Sequence, residues 1–530
     1  MNDYQLLRRA ALLAALLVAC VPASAQSKTM FCFADGTTIG AERFETRDGK
    51  FFLYVAGSST PLEYPVASVR GIDAPTCSPS QSATPSGKFG IHGSNTIGER
   101  LMPMIIEGFA VKNYGARPSF KPIAPEEQEI ALHQGSDVKA TIDFRAHGSK
   151  TAPEGLLAGK AQIGMSSSRM KQEYVDKIRD QFNTNSLASE NEHVLAMDGI
   201  AVIVNQDSPV DQLTLEQLCR VFSGQATNWS ELGGPDRPIT VYRRDNKSGT
   251  FDTFKHLVLD TSACQKTIAA SAHAFESSEL LSAEVSKDLG GVGFIAMPYV
   301  GKNRALKIGS SCGVASSPSP FSIKSEEYPL SRRLYLYTVG QPNDPVARDV
   351  LKFALSDDAQ PIIADAEFYN LAVEFQDPQE QRAWAGKISD NPTFGLPADK
   401  ELSPVAVRAF SRAMEDSRRS SMEFRFETGS SALDTRAQQD VARLARYLRQ
   451  LGSSSKRFQI VGFADTDGSW VRNERLARQR AETVAMQLRD AGVNMPRGAI
   501  QSFSFLAPVA CNDTDAGKSK NRRVEVWIQR

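Results

Sequence analysis

The chain has no excess of either charge: 61 lysines and arginines balance 61 aspartates and glutamates in 530 residues. A nucleic-acid partner therefore finds no bulk complement. Histidine is scarce, with six copies and no H-E-x-x-H spacing. That removes a common zinc-hydrolase word. No C-x-x-C pair and no G-x-x-x-x-G-K-[ST] loop occur, which argues against thioredoxin-like chemistry, zinc knuckles and a nucleotide-phosphate loop. The reading is non-enzymatic, with no catalytic residue, metal or cofactor assigned. Long hydrophobic runs are also missing. Residues 10–19 are apolar, too few to span a bilayer.

That short run follows Arg8 and Arg9 and reads as a secretory signal over residues 1–25. Ala23-Ser24-Ala25 is an A-x-A cleavage site. Leu17-Val18-Ala19-Cys20 also reads as a lipobox, which would leave Cys20 as a lipidated first residue. The A-x-A site is preferred because Val21 and Pro22 are unusual after a lipidated cysteine. Either route removes Cys20 and leaves six cysteines, an even number for an oxidising compartment. Cys32 and Cys77 bracket one short segment and are expected to pair. The partners of Cys219, Cys264, Cys312 and Cys511 stay open.

The length predicts several domains. Residues 28–80 carry short β-type runs separated by Asp35-Gly36 and Asp48-Gly49 turn signals, the pattern of a small all-β module. A Ser/Pro linker follows. Residues 88–375 alternate strands and helices, which predicts a two-lobed, parallel α/β domain. Residues 376–419 read as a Pro-containing connector with a helical stretch from Pro404. Residues 420–530 run strand, helix, strand, helix, then further strands, an α+β sandwich.

Three loops in the α/β region share one chemistry. Gly93-Ser94-Asn95-Thr96, Gly148-Ser149-Lys150-Thr151 and Arg244-Asp245-Asn246-Lys247-Ser248-Gly249-Thr250 each stand between a predicted strand and a helix. A helix start presents unpaired N–H groups and partial positive charge. Glycine admits an anion to the backbone, and hydroxyls add donors. Arg244 offers a charged fork. Taken singly such loops are usually only caps; three in one domain point to an oxyanion site.

The words GSNTI, GSKTAPEGLLAGKAQIGMSSSR, DGIAVIVN, LTLEQLCRVFSGQATNWSELGG and YRRDNKSGTFDTF resemble the PstS-like phosphate-binding subunits of ABC transporters, type II periplasmic binding proteins. The resemblance implies a phosphate or similar oxyanion held by Thr96, Ser149, Ser167, Arg244, Ser248, Gly249 and Thr250, with Arg169 near the cleft. It also raises an ABC permease, or another envelope protein, as a partner. Better-known members place acids where Ser167 and Asn246 stand, which leaves phosphate-over-sulfate selectivity open.

Near the end, GFADTDGSWVRNERLARQRAETV places Asp465 after an apolar strand and Arg480 fifteen positions later on a helix. A carboxylate and a guanidinium facing one pocket suit a ligand bearing both an ammonium and a carboxylate. Asn473, Leu476 and Arg480 share one helix stripe. With NRRVEV at the end, these words resemble the peptidoglycan-binding domain of the OmpA C-terminal family. Ala464 and Ala477 depart from its usual threonine and serine. The resemblance implies that Asp465 takes the ammonium of diaminopimelate and Arg480 its carboxylate, with Asn473 in the pocket and Arg523 assisting. The expected protein is thus an oxyanion receptor of the periplasm, held to peptidoglycan. The alternative is an envelope scaffold whose binding-protein fold serves protein contacts.

Overall fold

The computed structural model describes residues 29–72 except 34–37, 48, 57, 59 and 66–68, and residues 87–530 except 247, 392, 398, 399, 401, 427–432, 434 and 451–457. The chain divides into two compact units, Met1–Pro85 and Ser86–Arg530. The predicted signal segment and the Cys32–Cys77 pair lie outside the described residues. Among the described residues no helix is long and apolar enough to cross a membrane.

The first unit is built of two three-stranded antiparallel sheets. One joins Thr38–Ala41, Thr29–Phe33 and Val69–Ile72; the other joins Arg43–Arg47, Lys50–Tyr54 and Leu62–Pro65. Phe31, Phe33, Ala41, Phe51 and Leu53 form its core. Gly49, at φ 71°, makes the turn that the Asp-Gly pair predicts. Arg43–Arg47 was not visible as a strand because all five residues are exposed.

The second unit opens with an 11-stranded sheet. Its strand order differs from the parallel expectation. Gly87–Gly93 lies parallel to Asp137–Arg145 and Ile163–Ser166, and Thr240–Arg244 lies parallel to His273–Phe275 and Gly291–Ala296. Between these halves, Glu192–Val204 and Ser331–Tyr337 run antiparallel to each other. Each half has its own core. Phe89, Ile91, Ile105, Phe109 and Ile142 belong to one, and Val202, Phe222, Trp229, Phe254 and Phe294 to the other. The result is a mixed, two-lobed α/β fold, with all thirteen residues of Glu192–Val204 buried where it crosses between lobes. An antiparallel meander, Ser119–Ala124 with Glu127–Gln134, extends the first lobe. Its inward side is only Ile130 and Leu132. Cys219 and Cys264 join within the second lobe.

The last part is a four-stranded sheet ordered Ser417–Arg425, Arg523–Gln529, Phe458–Gly462, Ile500–Ser502. Thr435–Gln450 and Trp470–Asp490 supply Leu444, Leu448, Val484 and Leu488 to its core. The region read as a connector is structured. Pro378–Asp390, capped by Asp377, and Pro404–Glu415, capped by Ser403, place Ile388, Phe410 and Met414 against Val461, Phe463 and Trp527. The sheet therefore has apolar clusters supplied by two separate pairs of helices.

Cys312 of the second lobe is bonded to Cys511 of the final domain. A second set of contacts joins the same two regions: Glu326 meets three guanidinia, Arg333 at 2.6 Å, Arg436 at 3.0 Å and Arg425 at 3.3 Å. Arg419 pairs with Glu327 at 2.5 Å and Glu525 at 2.7 Å. Burial raises the Glu326 pKa, but Arg333, Arg436 and Arg425 outweigh it and hold the carboxyl well below its usual value.

Candidate functional site

The three predicted loops converge. Ser94 N donates to Met165 O at 2.9 Å and Gly148 N to Gly93 O at 2.8 Å, so the first-lobe loops are stitched to one another. Ser149 Oγ lies 3.1 Å from Ser167 Oγ and accepts from Ser167 N at 3.0 Å. From the other lobe, Ser248 caps the helix Gly249–Phe254, its Oγ accepting from Thr250 N at 3.2 Å. Thr250 Oγ1 reaches Thr96 Oγ1 at 3.3 Å. Thr96, Ser149, Ser167, Ser248 and Thr250 are all buried. Gly249 is where they meet: a Cβ there would strike the hydroxyls of both Ser167 and Ser149.

Two charged residues stand behind this cluster that the sequence reading did not single out. The strand register sets Asp198 opposite Arg332. Arg332 donates to Asp198 Oδ2 from Nε at 2.9 Å and from Nη2 at 2.6 Å. The same Nη2 reaches Thr250 Oγ1 at 3.0 Å and Thr96 Oγ1 at 3.5 Å. Burial raises the Asp198 pKa, and Arg332 opposes the rise. The signal was present in outline: each charge stands within or beside an apolar run, Asp198 midway along Glu192–Val204 and Arg332 second in Ser331–Tyr337. An unpaired charge is too costly to bury there.

Arg244 is buried and faces the lobe's own structure. It donates to Ser278 Oγ and to Glu276 O, bracing the start of Ser278–Val285. Its Nε has no partner among the described residues. Arg169 is not brought to the hydroxyl cluster. It bonds Glu192 at 3.1 and 3.3 Å, in a small groove that Ser149 and Tyr174 also line. Asn246 accepts from Arg243, and Asp245 Oδ1 accepts from Ser248 N. Glu99 follows the first loop. Burial raises its carboxyl pKa to about 7, while Arg244 and Tyr299 oppose the rise.

At the other end of the chain, Asp465 accepts from Asp467 N at 3.0 Å and from Arg522 Nη1 at 2.9 Å. Asn473 donates to the Asp465 carbonyl at 3.0 Å, fixing the loop on the helix Trp470–Asp490. Arg480 is 4% exposed, with its guanidinium 5.5 Å from the Phe426 ring centre. It makes no hydrogen bond among the described residues. Burial and then Arg522 lower its pKa, against Asp465. Asp465 is thus ion-paired with Arg522, which the sequence reading did not single out, and both act on the charge of Arg480. Arg523 is not brought there. It is fully buried, donates to Glu525 at 2.7 Å and Ala507 O at 2.9 Å, and stacks on Phe463. Strand alternation at NRRVEV turns Arg523 inward.

Residues 78–358, more than half of the chain, match the model of the PBP superfamily domain. The chain belongs to the PBP superfamily. Residues 425–522 match the OmpA family. Among relatives of this PBP-superfamily chain, the phosphate-binding protein PstS of Bacillus subtilis is 27% identical over 251 residues, 47% of this chain and 77% of the relative. PstS of Pseudomonas aeruginosa (strain PAO1) is 27% identical over 244 residues, 42% and 72%. An ABC-type phosphate transport receptor from Vibrio cholerae aligns with 53% of this chain and 98% of its own, at 24% identity and TM-score 0.41. The PBP-superfamily fold here includes one stretch, Gly309-Ser310-Ser311-Cys312-Gly313, that spells G-x-S-x-G. It is the turn of a short hairpin, with Ser311 donating to Asp513 at 2.8 Å and Cys312 in a disulfide. A nucleophile elbow instead needs a strand-to-helix turn.

Proposed function

We propose that this protein is a non-enzymatic receptor of the cell envelope. It takes a tetrahedral oxyanion, phosphate first, between its two lobes and holds peptidoglycan through its final domain. Residues 88–375 are the receptor and residues 420–530 the wall-binding part. The observation that carries this reading is the gathering of Thr96, Ser149, Ser167, Ser248 and Thr250 around Gly249, with Arg332 behind them. Relatives named phosphate-binding proteins support phosphate as the ligand. The N-terminal signal supports export to the periplasm, with cleavage after Ala25; lipidation at Cys20 is the alternative route, which would add a membrane anchor. An ABC permease within reach of the wall is the partner that would receive the ligand.

Stripping the protein of ligand by partial unfolding and then adding phosphate tests the reading. At a hundredfold excess over Kd, binding stabilises the native state by about 2.7 kcal/mol, so the melting temperature rises clearly. No rise at millimolar phosphate would leave the fold as a scaffold for protein contacts.

Gly249→Ala gives a sharper expectation. The added methyl displaces the Ser149 and Ser167 hydroxyls. A hydrogen bond to a charged group is worth about 1.5–3 kcal/mol, so calorimetry should show phosphate affinity falling at least about tenfold. Unchanged affinity would take the ligand away from this cluster.

A further inference from the structure

The loop that carries Asp465 is gripped, residue by residue, from one later segment of the chain. Arg522 Nη1 donates to Asp465 Oδ2 at 2.9 Å. Thr466 N donates to Asn512 Oδ1 at 3.3 Å. Lys518 Nζ donates to Asp467 Oδ2 at 3.1 Å. Asn512, Lys518 and Arg522 lie on or beside the helix Asp515–Asn521, which Thr514 caps.

The orientation of Asn512 follows from its partner. A backbone N–H can only donate, so the atom facing Thr466 N must be the amide oxygen. The amide NH2 group is thereby turned away from Thr466. Its nitrogen, Nδ2, is buried and has no hydrogen-bond partner among the described residues. The whole residue is 8% exposed. Buried polar groups are nearly always paired, and an unpaired donor is costly to keep. The neighbouring Asp465 carboxylate is engaged on both oxygens, by Asp467 N and by Arg522.

Asn512 is also held from the receptor side. Cys511 before it is bonded to Cys312, and Cys312 N donates to Cys511 Sγ at 3.2 Å. Asp513 after it accepts from Ser311 Oγ at 2.8 Å. Both flanks are therefore fixed by one hairpin turn of the second lobe, between Lys307–Gly309 and Ala315–Ser316. From the other direction Asn521 Oδ1 accepts from Val509 N at 2.9 Å and Ala510 N at 3.2 Å. A Cβ at Gly517 would strike Cys511 O. Packing this close leaves Asn512 no room to turn its NH2 group back to Thr466.

We infer that Asn512 is a further ligand contact of the wall-binding site, donating from Nδ2 to a carboxylate or amide oxygen of the cell-wall peptide, and that the second lobe holds it there through Cys312–Cys511. This rests on the wall-binding reading above. An uncharged donor complements the acceptor at Asp465 and the guanidinium of Arg480. The receptor domain is then a support of the wall site as well as its cargo.

The test is sedimentation of the full chain over a range of concentrations of insoluble diaminopimelate-type peptidoglycan, with a melting curve of each variant. Asn512→Asp keeps an oxygen for Thr466 N and replaces the NH2 group with a second acceptor. Its wall affinity should fall at least about tenfold, the loss of one hydrogen bond to a charged group. Asn512→Leu loses both contacts and should fall at least as far. Cys312→Ser combined with Cys511→Ser should weaken pelleting while phosphate affinity stays that of the parent. A folded Asn512→Asp that pellets like the parent overturns the donor, and if Asn512→Leu alone fails, the residue only positions Thr466. A double-serine chain that pellets like the parent overturns the role of the lobe. A parent chain that does not pellet overturns the wall-binding reading itself.

Discussion

In the full-length chain, Asp465→Ala and Arg480→Ala should each abolish most pelleting with insoluble diaminopimelate-type peptidoglycan. The reason lies in what each group already touches. Arg480 is nearly buried, carries a burial-lowered pKa and makes no hydrogen bond among the described residues. A guanidinium in that state is poised for a carboxylate from outside. Asp465 has one oxygen on Asp467 N and the other on Arg522, so its position is fixed before ligand arrives. Truncating one partner of a buried, hydrogen-bonded charge pair costs about 2–5 kcal/mol, enough to empty the pellet. The double variant should lose little more than either single, because both groups act on one ligand. Arg522→Gln should weaken pelleting less, since it orients Asp465 and leaves Arg480 in place. Single variants that melt like the parent and still pellet normally would refute the assignment.

Glu326→Gln should be the most damaging single change to stability among the interdomain contacts. Its carboxylate serves Arg333, Arg425 and Arg436 at 2.6 to 3.3 Å. Removing one partner of a buried ionic group costs about 3–5 kcal/mol, because three guanidinia would then face one another. The pH dependence has a definite sign. The folded Glu326 pKa is depressed below its ordinary 4.5. Its contribution is therefore present above the unfolded value and is lost as pH falls through the folded one. Denaturation curves of the parent should show this acid-dependent loss, and the variant should lack it. An unchanged midpoint in Glu326→Gln at neutral pH would mean the cluster does not hold the domains together.

What was legible in the sequence was local. GSNT, GSKT and SGT are glycine and hydroxyl words at strand-to-helix turns, and the structure brings Thr96, Ser149, Ser167, Gly249 and Thr250 together. Asp465 and Arg480 lie on one loop and the helix that follows it, near enough for Asp465 to oppose the lowering of the Arg480 pKa. What was not legible depended on distant register. Asp198 and Arg332 are 134 positions apart, and Cys312 and Cys511 are 199 apart. Neither pairing leaves a periodic trace. The Ser119–Gln134 meander was hidden because Ser119–Ala124 buries none of its residues and Glu127–Gln134 buries only Ile130 and Leu132, too few to show an alternating pattern. Arg244 was read as a charged fork from its place in the loop; its Nη1 and Nη2 go to Ser278 and Glu276, which no local word announces, while its Nε has no partner among the described residues. The connector was read from its prolines; in the fold Pro378 and Pro404 stand at helix starts, where proline is favoured.

The central claim is that one molecule holds an oxyanion and the wall at once. Co-sedimentation with insoluble peptidoglycan in the presence of radiolabelled phosphate tests it most directly. The account predicts that label pellets in proportion to protein, and that excess cold phosphate removes the label without releasing the protein. Protein that pellets without label, or label-bound protein that stays in the supernatant, would contradict it.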